Sequence, residues 1–277
     1  MIKTQKLIPI LICIFLSACA SSGSTNTENL SDLKNMHATG RLADDSNGVI
    51  RAQALQDTAL SIGAQAGLTW RANQINIVLQ EHSKELDQVF NFNRLMLSDH
   101  VLPPVLQTSN KTMKLDNVDT IRLSDQTYII QSQARFVTTP PNWREYLWMN
   151  YTAPEVPPDN MLPKTVAEQK VWKQYIQIGW QQGVQQADLI LRDNLARLTR
   201  DTKGMILYRK LLAQGMVSQP FVQKNMLGVT GGGESLRIND QVLRITALPQ
   251  LQIDTRQWHP VDIPEKPATK TEGDDYE

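Results

Sequence analysis

Ser61-Ile62-Gly63-Ala64-Gln65-Ala66-Gly67 stands at the centre of a segment, Arg51 to Phe90, in which Leu55, Ala59, Ile62, Ala66, Trp70, Ile77 and Leu86 recur mostly at three- and four-residue intervals. That period is the signature of a helix with one apolar face. Gly63 and Gly67 fall one turn apart on a single face. Each glycine costs a helix about 1 kcal/mol relative to alanine, so the pair has two readings. Either the helix breaks here, or the missing side chains let another backbone come close and the contact offsets the cost. The second reading predicts one long helix, closely packed against a neighbour.

A second long helix is read from Thr165 to about Arg200, where Val171 or Trp172, Ile176, Trp180, Val184, Ala187, Leu191, Leu195 and Leu198 form an apolar stripe. At 1.5 Å per residue it reaches roughly 50 Å. Its other face carries Gln169, Gln174, Gln177, Gln181, Gln182, Gln185 and Gln186 in place of the usual charges. Neutral amides can be covered by a partner without desolvating ions; an ordinary solvated face is the alternative. Gly204 to Val217 reads as a further short helix.

Between and after the helices the pattern changes to β. Val101-Leu-Pro-Pro104 ends regular structure, and in Thr127 to Val137 the residues Tyr128, Ile130, Ser132, Ala134 and Phe136 alternate onto one face. Pro140-Pro141-Asn142-Trp143 stops that strand, and a proline-rich connection from Pro154 to Pro163 leads into the second helix. Leu236 to Ile245 reads as a hairpin turning at Asn239-Asp240. It aligns without a gap on Ile121 to Ile130, sharing Arg122 with Arg237, Asp125 with Asp240, Gln126 with Gln241 and Ile130 with Ile245. Two hairpins in one sheet, with the long helix packed on it, is one explanation; convergence on common turn chemistry is the other. The fold class expected is α+β, long helices packed with a small antiparallel sheet.

The first residues carry a different message. Lys3 and Lys6 precede an apolar run from Leu7 to Leu16 that is too short to span a bilayer, the pattern of a cleaved signal peptide. Leu16-Ser17-Ala18-Cys19 then reads as a lipobox, with small residues where the peptidase approaches and the Cys19 thiol as the acceptor of lipid. Ala20, where an Asp would favour retention in the inner membrane, directs the expectation to the outer membrane. Each buried methylene of an acyl chain contributes about 0.8 kcal/mol, so several chains on Cys19 make a lasting anchor. Residues 1–18 are therefore read as signal peptide, 19–48 as a lipidated flexible linker rich in Ser, Asn, Thr and Asp, 49–259 as a globular body, and 260–277 as a disordered acidic tail.

Composition narrows the chemistry. The two cysteines are Cys13, inside the signal, and Cys19, so the body has no thiol for disulfides, catalysis or metal. Basic and acidic residues balance at 28 each, which argues against direct nucleic-acid binding through a basic surface. Gly228-Val-Thr-Gly-Gly-Gly233 is followed by Glu234-Ser235 where a phosphate loop needs Lys and a hydroxyl, so it reads as a turn. His37, His82, His100 and His259 stand apart in the sequence; only Glu81, His82 and Glu85 cluster, without the second set a carboxylate-bridged centre needs. The carboxylate pairs Asp87 with Asp99 and Asp188 with Asp193 are indistinguishable from surface charge, and no Gly-x-Ser-x-Gly elbow is present. Trp143, Tyr146, Trp148 and Tyr151 cluster before the proline-rich stretch, as interface anchors or as core. No catalytic residue, metal site or cofactor is expected.

Several segments, in order, resemble the DotC family, the lipoproteins of Dot/Icm-type (type IVB) secretion systems, called TraI in related conjugative plasmids. They are Ser61 to Leu68 with Trp70-Arg71, Val101 to Pro104, Ala134 to Phe136, Pro141 to Leu147, Gly179-Trp-Gln-Gln-Gly183 with Gln186-Ala-Asp188, Asn194 to Leu198, Arg200-Asp201, Gly204-Met205, Gly215 to Ser218, Gly228 to Gly231 and Arg244 to Thr246. The resemblance runs from about Ala52 to Pro260. It implies a structural role: a lipoprotein that, with a DotD-like lipoprotein, places a DotH-like component at the outer membrane, in a ring that passes effector proteins or conjugating DNA. It implies self-association in that ring and supplies no catalytic residues, leaving lipidated Cys19 as the one site. A wall-cleaving envelope hydrolase and a small-molecule binding lipoprotein are the competing classes.

Overall fold

The structure, a computed structural model, describes residues 29–39 and 49–259. Cys19 and the segments expected to be a signal peptide and an acidic tail lie outside the described residues. In chain order the elements are α1 (Leu30–Asn35), α2 (Val49–Glu81), α3 (Ser83–Val89), β1 (Val101–Leu102), β2 (Val105–Asn117), β3 (Thr120–Ser132), β4 (Arg135–Phe136), α4 (Trp143–Leu147), α5 (Val166–Ala213), β5 (Phe221–Gly232) and β6 (Ser235–Ala247). The class is α+β, as expected.

Helix α2 passes through Gly63 and Gly67 without a break and ends only at Glu81. The close approach is to α5. A Cβ on Gly63 would lie 2.5 Å from the Ile176 carbonyl oxygen, and one on Gly67 would run into the Trp180 carbonyl. The contact is reciprocal: Gly179 and Gly183 of α5 face the backbone at Leu60 and Ala64 of α2. Small residues one turn apart on both helices let the backbones touch, an arrangement best known between membrane helices. Around this seam Leu55, Ala59, Ile62 and Ala66 pack with Trp172, Ile176 and Trp180.

The two helices run in the same direction, because Arg51 bonds Glu168 and Arg71 bonds Asp188 at the same sequence separation of 117 residues. Parallel helices need a return path. Residues 149–162 supply it, passing back along α2 from its end to its start. Asn76 grips Met149 by both its N–H (3.1 Å) and its carbonyl (2.6 Å), Thr69 donates to the Thr152 carbonyl at 3.0 Å, and Arg51 donates to the carbonyls of Asn160 and Leu162 at 2.9 and 3.2 Å. Pro154, Pro157 and Pro158 suit this extended path, since they hold φ near −65° and leave no N–H to satisfy.

Beyond Ala66 the buried face of α2 advances by threes, through Thr69, Ala72 and Ile75, so Trp70 and Ile77 of the expected stripe stand half exposed. Trp70 still meets Trp180, ring centres 5.6 Å apart. Helix α5 is longer than read. Its 48 residues, roughly 70 Å at 1.5 Å each, continue through Gly204, which was read as opening a separate helix. Gly204 instead sits against Val105 and Leu106, where a Cβ would strike the root of β2. The helix ends at Gly215, φ +69°, with Gly215 N–H bonded to the Leu212 carbonyl at 3.1 Å and Met216 N–H to that of Leu211 at 2.9 Å. This is the paired bond of a Schellman cap, which favours glycine.

Residues 29–39, inside the stretch read as a flexible linker, are part of the packed body. Leu33 is fully buried, Trp172 Nε1 donates to its carbonyl at 2.8 Å, and Gln169 donates to the Lys34 carbonyl at 2.7 Å. One buried leucine and an indole donor suffice to dock a helix that polar composition disguised.

The β structure differs most from expectation. Among the described residues there are three separate two-stranded antiparallel sheets, β1 with β4, β2 with β3, and β5 with β6. The two similar segments do not share a sheet. Each forms the second strand of its own hairpin, β3 and β6. The turns lie just before them, between Asn117 and Thr120 and between Gly232 and Ser235. Asn239-Asp240 is not a turn: Asn239 takes φ +57° inside β6, near Gly228 at φ +77° on β5, and the register shifts there. Strand β2 was not anticipated, because beyond Val105-Leu106 its residues are mostly polar and exposed.

At the start of α5, Glu168 is buried and accepts bonds from Arg51 Nε at 2.7 Å and the Lys164 N–H at 2.6 Å, while Thr165 caps the Glu168 N–H at 3.1 Å. Burial pushes the carboxyl up, but the Arg51 and backbone bonds outweigh it and hold it below the usual carboxylate range. A carboxyl lowered on folding stabilises the fold above its unfolded pKa and loses that contribution as pH falls through the folded value. Glu168→Gln should therefore cost about 1–3 kcal/mol at neutral pH, with the gap to wild type closing in acid, as read by denaturant melts across pH. Gly183→Ala should cost about 1–3 kcal/mol by forcing α2 and α5 apart, measured as a lowered thermal midpoint; an unchanged midpoint would remove the close contact from the account.

Candidate functional site

The two long hairpins are rooted in the body and apolar at their far ends. Val105 and Leu106 are buried, and Tyr128 and Ile130 pack against the cluster that Leu106 forms with Tyr208, Leu211 and Val217. Farther out, Met113 pairs with Leu123 and Leu115 with Ile121. Cross-strand partners and alternate residues share a face, so these four form one patch, with Val118 at the turn. Met113 is 71% exposed, Leu123 73% and Val118 101%. The β5–β6 hairpin also exposes apolar residues, Met226, Leu227, Val229, Leu236 and Ile238, all half exposed or more, although Met226 pairs with Gln241 and Leu236 with Gly231. Its root is held by an ion pair from Lys224 to Asp99, a residue at φ +59°.

An isolated two-stranded hairpin is marginal in water, and unpaired edges beside exposed apolar residues are pairing sites. Three of the four edges are interrupted. Lys111 in β2, Gly228 and Gly231 in β5, and Asn239 in β6 all take positive φ. Strand β3 differs. From Ile121 to Ile130 its register with β2 is unshifted, no residue has positive φ, and β2 rather than β3 lies along α5. The flat outer edge of β3 is thus the best-formed place for another strand to add.

The residues weighed for chemistry are mostly occupied in structure. Asp87 accepts Trp143 Nε1 at 2.6 Å and Arg144 Nη1 at 2.9 Å, and the Arg144 bond, then the Trp143 bond, hold its carboxyl low. Asp99 pairs with Lys224 and Asp188 with Arg71; Asp193 is exposed. His82 lies 4.0 Å from Glu85, both exposed, and among the described residues no three His, Cys, Asp or Glu side chains gather as metal ligands. The aromatic cluster divides: Trp143 is buried and Tyr146 half-buried against Phe92, stacked at 6.0 Å, whereas Trp148 and Tyr151 stand partly in solvent. Burial, then the nearby Asp201 charge, pushes the Tyr146 phenol up to about 12. On the glutamine face, Gln169 and Gln177 bond α1 through Lys34, and Gln174, Gln181, Gln182, Gln185 and Gln186 stay exposed. Of the glycine run, Gly231 to Gly233 lie at the tip of the β5–β6 hairpin and Gly228 lies within β5. Among the described residues no helix is long and apolar enough to cross a membrane.

The fold and its surfaces define a helical strut bearing open, apolar-ended hairpins, the form of an assembly component. Compared with protein families, residues 49–260 match the TraI family of the type IV secretory system, described by conjugal DNA-protein transfer. The chain belongs to this family, and it is a component of a type IV secretion system with partners inside that complex. Comparison with curated proteins finds no match.

Sequence reasoning missed the hairpin ends. Lys114, Asp116, Arg122 and Asp125 interleave with the apolar residues and disguise them as ordinary surface; an apolar residue at every second place on both sides of Val118-Asp119 was the available signal. Replacing Ile121 and Leu123 by Lys should leave thermal stability within about 0.5 kcal/mol of wild type yet sharply reduce the yield of assembled complex from membranes. Full assembly by that variant would show that this patch is not an interface.

Proposed function

We propose that this chain is a structural, non-catalytic lipoprotein of a type IVB core complex, anchored at the outer membrane through lipid on Cys19, with its body in the periplasm. It works there with a DotD-like lipoprotein to place a DotH-like component, and repeated copies form part of the ring. The observation that carries this reading is the pair of apolar-ended hairpins, in a chain of the type IV secretion family. Such surfaces have a use in an assembly and are a liability on a free monomer. Two hairpins offer two different faces, which is what a head-to-tail contact needs to close a ring.

An envelope hydrolase is the competing reading. Ion pairs with Lys224, Arg71 and Arg144 occupy three of the four carboxylates considered for it, which favours the structural role.

Cys19→Ser should give a folded body that no longer pellets with membranes and no longer supports secretion. Mild-detergent purification of the tagged wild type should recover DotD-like and DotH-like proteins in one large particle. A lone lipoprotein from an intact envelope, or normal secretion by the unanchored variant, would overturn the reading.

A further inference from the structure

Residues 147–150 alternate in and out: Leu147 and Met149 are buried, while Trp148 is 44% exposed and Asn150 faces solvent. Trp148 borders an open groove of about 590 Å³ against the outer side of α2, where Asn73, Asn76, Ile77, Gln80 and Glu81 recur at helical spacing. Its apolar lining comes from Trp148, Ile77 and Met149. The amides of Asn73, Gln80 and Asn150 line it and make no side-chain hydrogen bond among the described residues. Asn76 is the exception. Its two bonds to the Met149 backbone hold Trp148 and Asn150 in place beside α2, so the groove is set before anything binds.

The lining contains no cation and one carboxylate, Glu81. That composition disfavours phosphate or a carboxylate ligand, which call for Arg, Lys or a helix start. It suits a neutral polyhydroxylated chain. Each amide offers both a donor and an acceptor, as a sugar hydroxyl does, and the indole face covers the apolar side of a sugar ring. An open groove, rather than an enclosed pocket, admits a polymer from either end.

We propose that the groove between α2 and Trp148 binds a neutral glycan strand, with Trp148 as the stacking platform and Asn73, Gln80 and Asn150 as hydroxyl and acetamido partners. The site is separate from the hairpins and stands whether or not they assemble. With the body in the periplasm, as proposed above, it gives the strut a hold on the glycan of the cell wall.

The test is co-sedimentation of the full-length protein, in mild detergent, with purified peptidoglycan sacculi, with and without soluble N-acetylglucosamine oligomers as competitor. The wild type should pellet with the sacculi and be released by the oligomers. Trp148→Ala, whose ring is half in solvent, should keep the wild-type melting curve and lose at least tenfold in affinity, and Asn73→Ala should lose less. No binding to the sacculi, binding that the oligomers leave unchanged, or equal binding by Trp148→Ala would overturn the proposal.

Discussion

The contact of backbone on backbone along Gly63, Gly67, Gly179 and Gly183 sets the geometry of everything else in the molecule. Because no side chain separates α2 from α5 there, large residues can flank the seam instead of filling it, and Trp172 and Trp180 do so. Close parallel helices also force the chain to travel back outside them. The proline-rich strap along α2 is that return, and the α2–Trp148 groove is formed where the strap begins.

Placing the helices in parallel has a second consequence. Helix α5 extends well past the end of its contact with α2, and the surplus carries Gly204, Met205, Tyr208 and Leu211, on which the hairpin roots and the α4 region pack. The molecule is therefore a two-helix seam at one end and a platform for strands at the other. Lys224 with Asp99, and the Schellman cap at Gly215, orient the β5–β6 hairpin as it leaves that platform.

What was legible in the sequence followed the strength of the local signal. Both long helices were readable from period, and the close approach at Gly63 and Gly67 from the absence of side chains. The partner of that contact was not, since Gly179 and Gly183 sit among glutamines that drew attention to the opposite face. Helix α1 hid because docking needs only Leu33 and a carbonyl for Trp172. The strands failed for another reason. Gly228 and Asn239 look like turn residues and are kinks in mid-strand, a difference that depends on pairing across the hairpin and not on neighbours in sequence. The likeness of Ile121–Ile130 to Leu236–Ile245 was real, but it marked the same place in two hairpins, not one sheet.

The edges of those hairpins bear on how selective their contacts can be. Open strands beside apolar side chains invite indiscriminate pairing, and positive-φ residues at Lys111, Gly228, Gly231 and Asn239 interrupt three of the four edges. Leaving β3 flat restricts strand addition to one place, and the absence of net charge between Ile121 and Ile130, where Arg122 and Asp125 cancel, leaves recognition to the backbone and the apolar face. A bilayer is a poor destination for such a hairpin, because its unpaired N–H and C=O groups find no partners in hydrocarbon. A protein strand satisfies both the edge and the patch at once. This is why the hairpins point to contacts within a secretion complex.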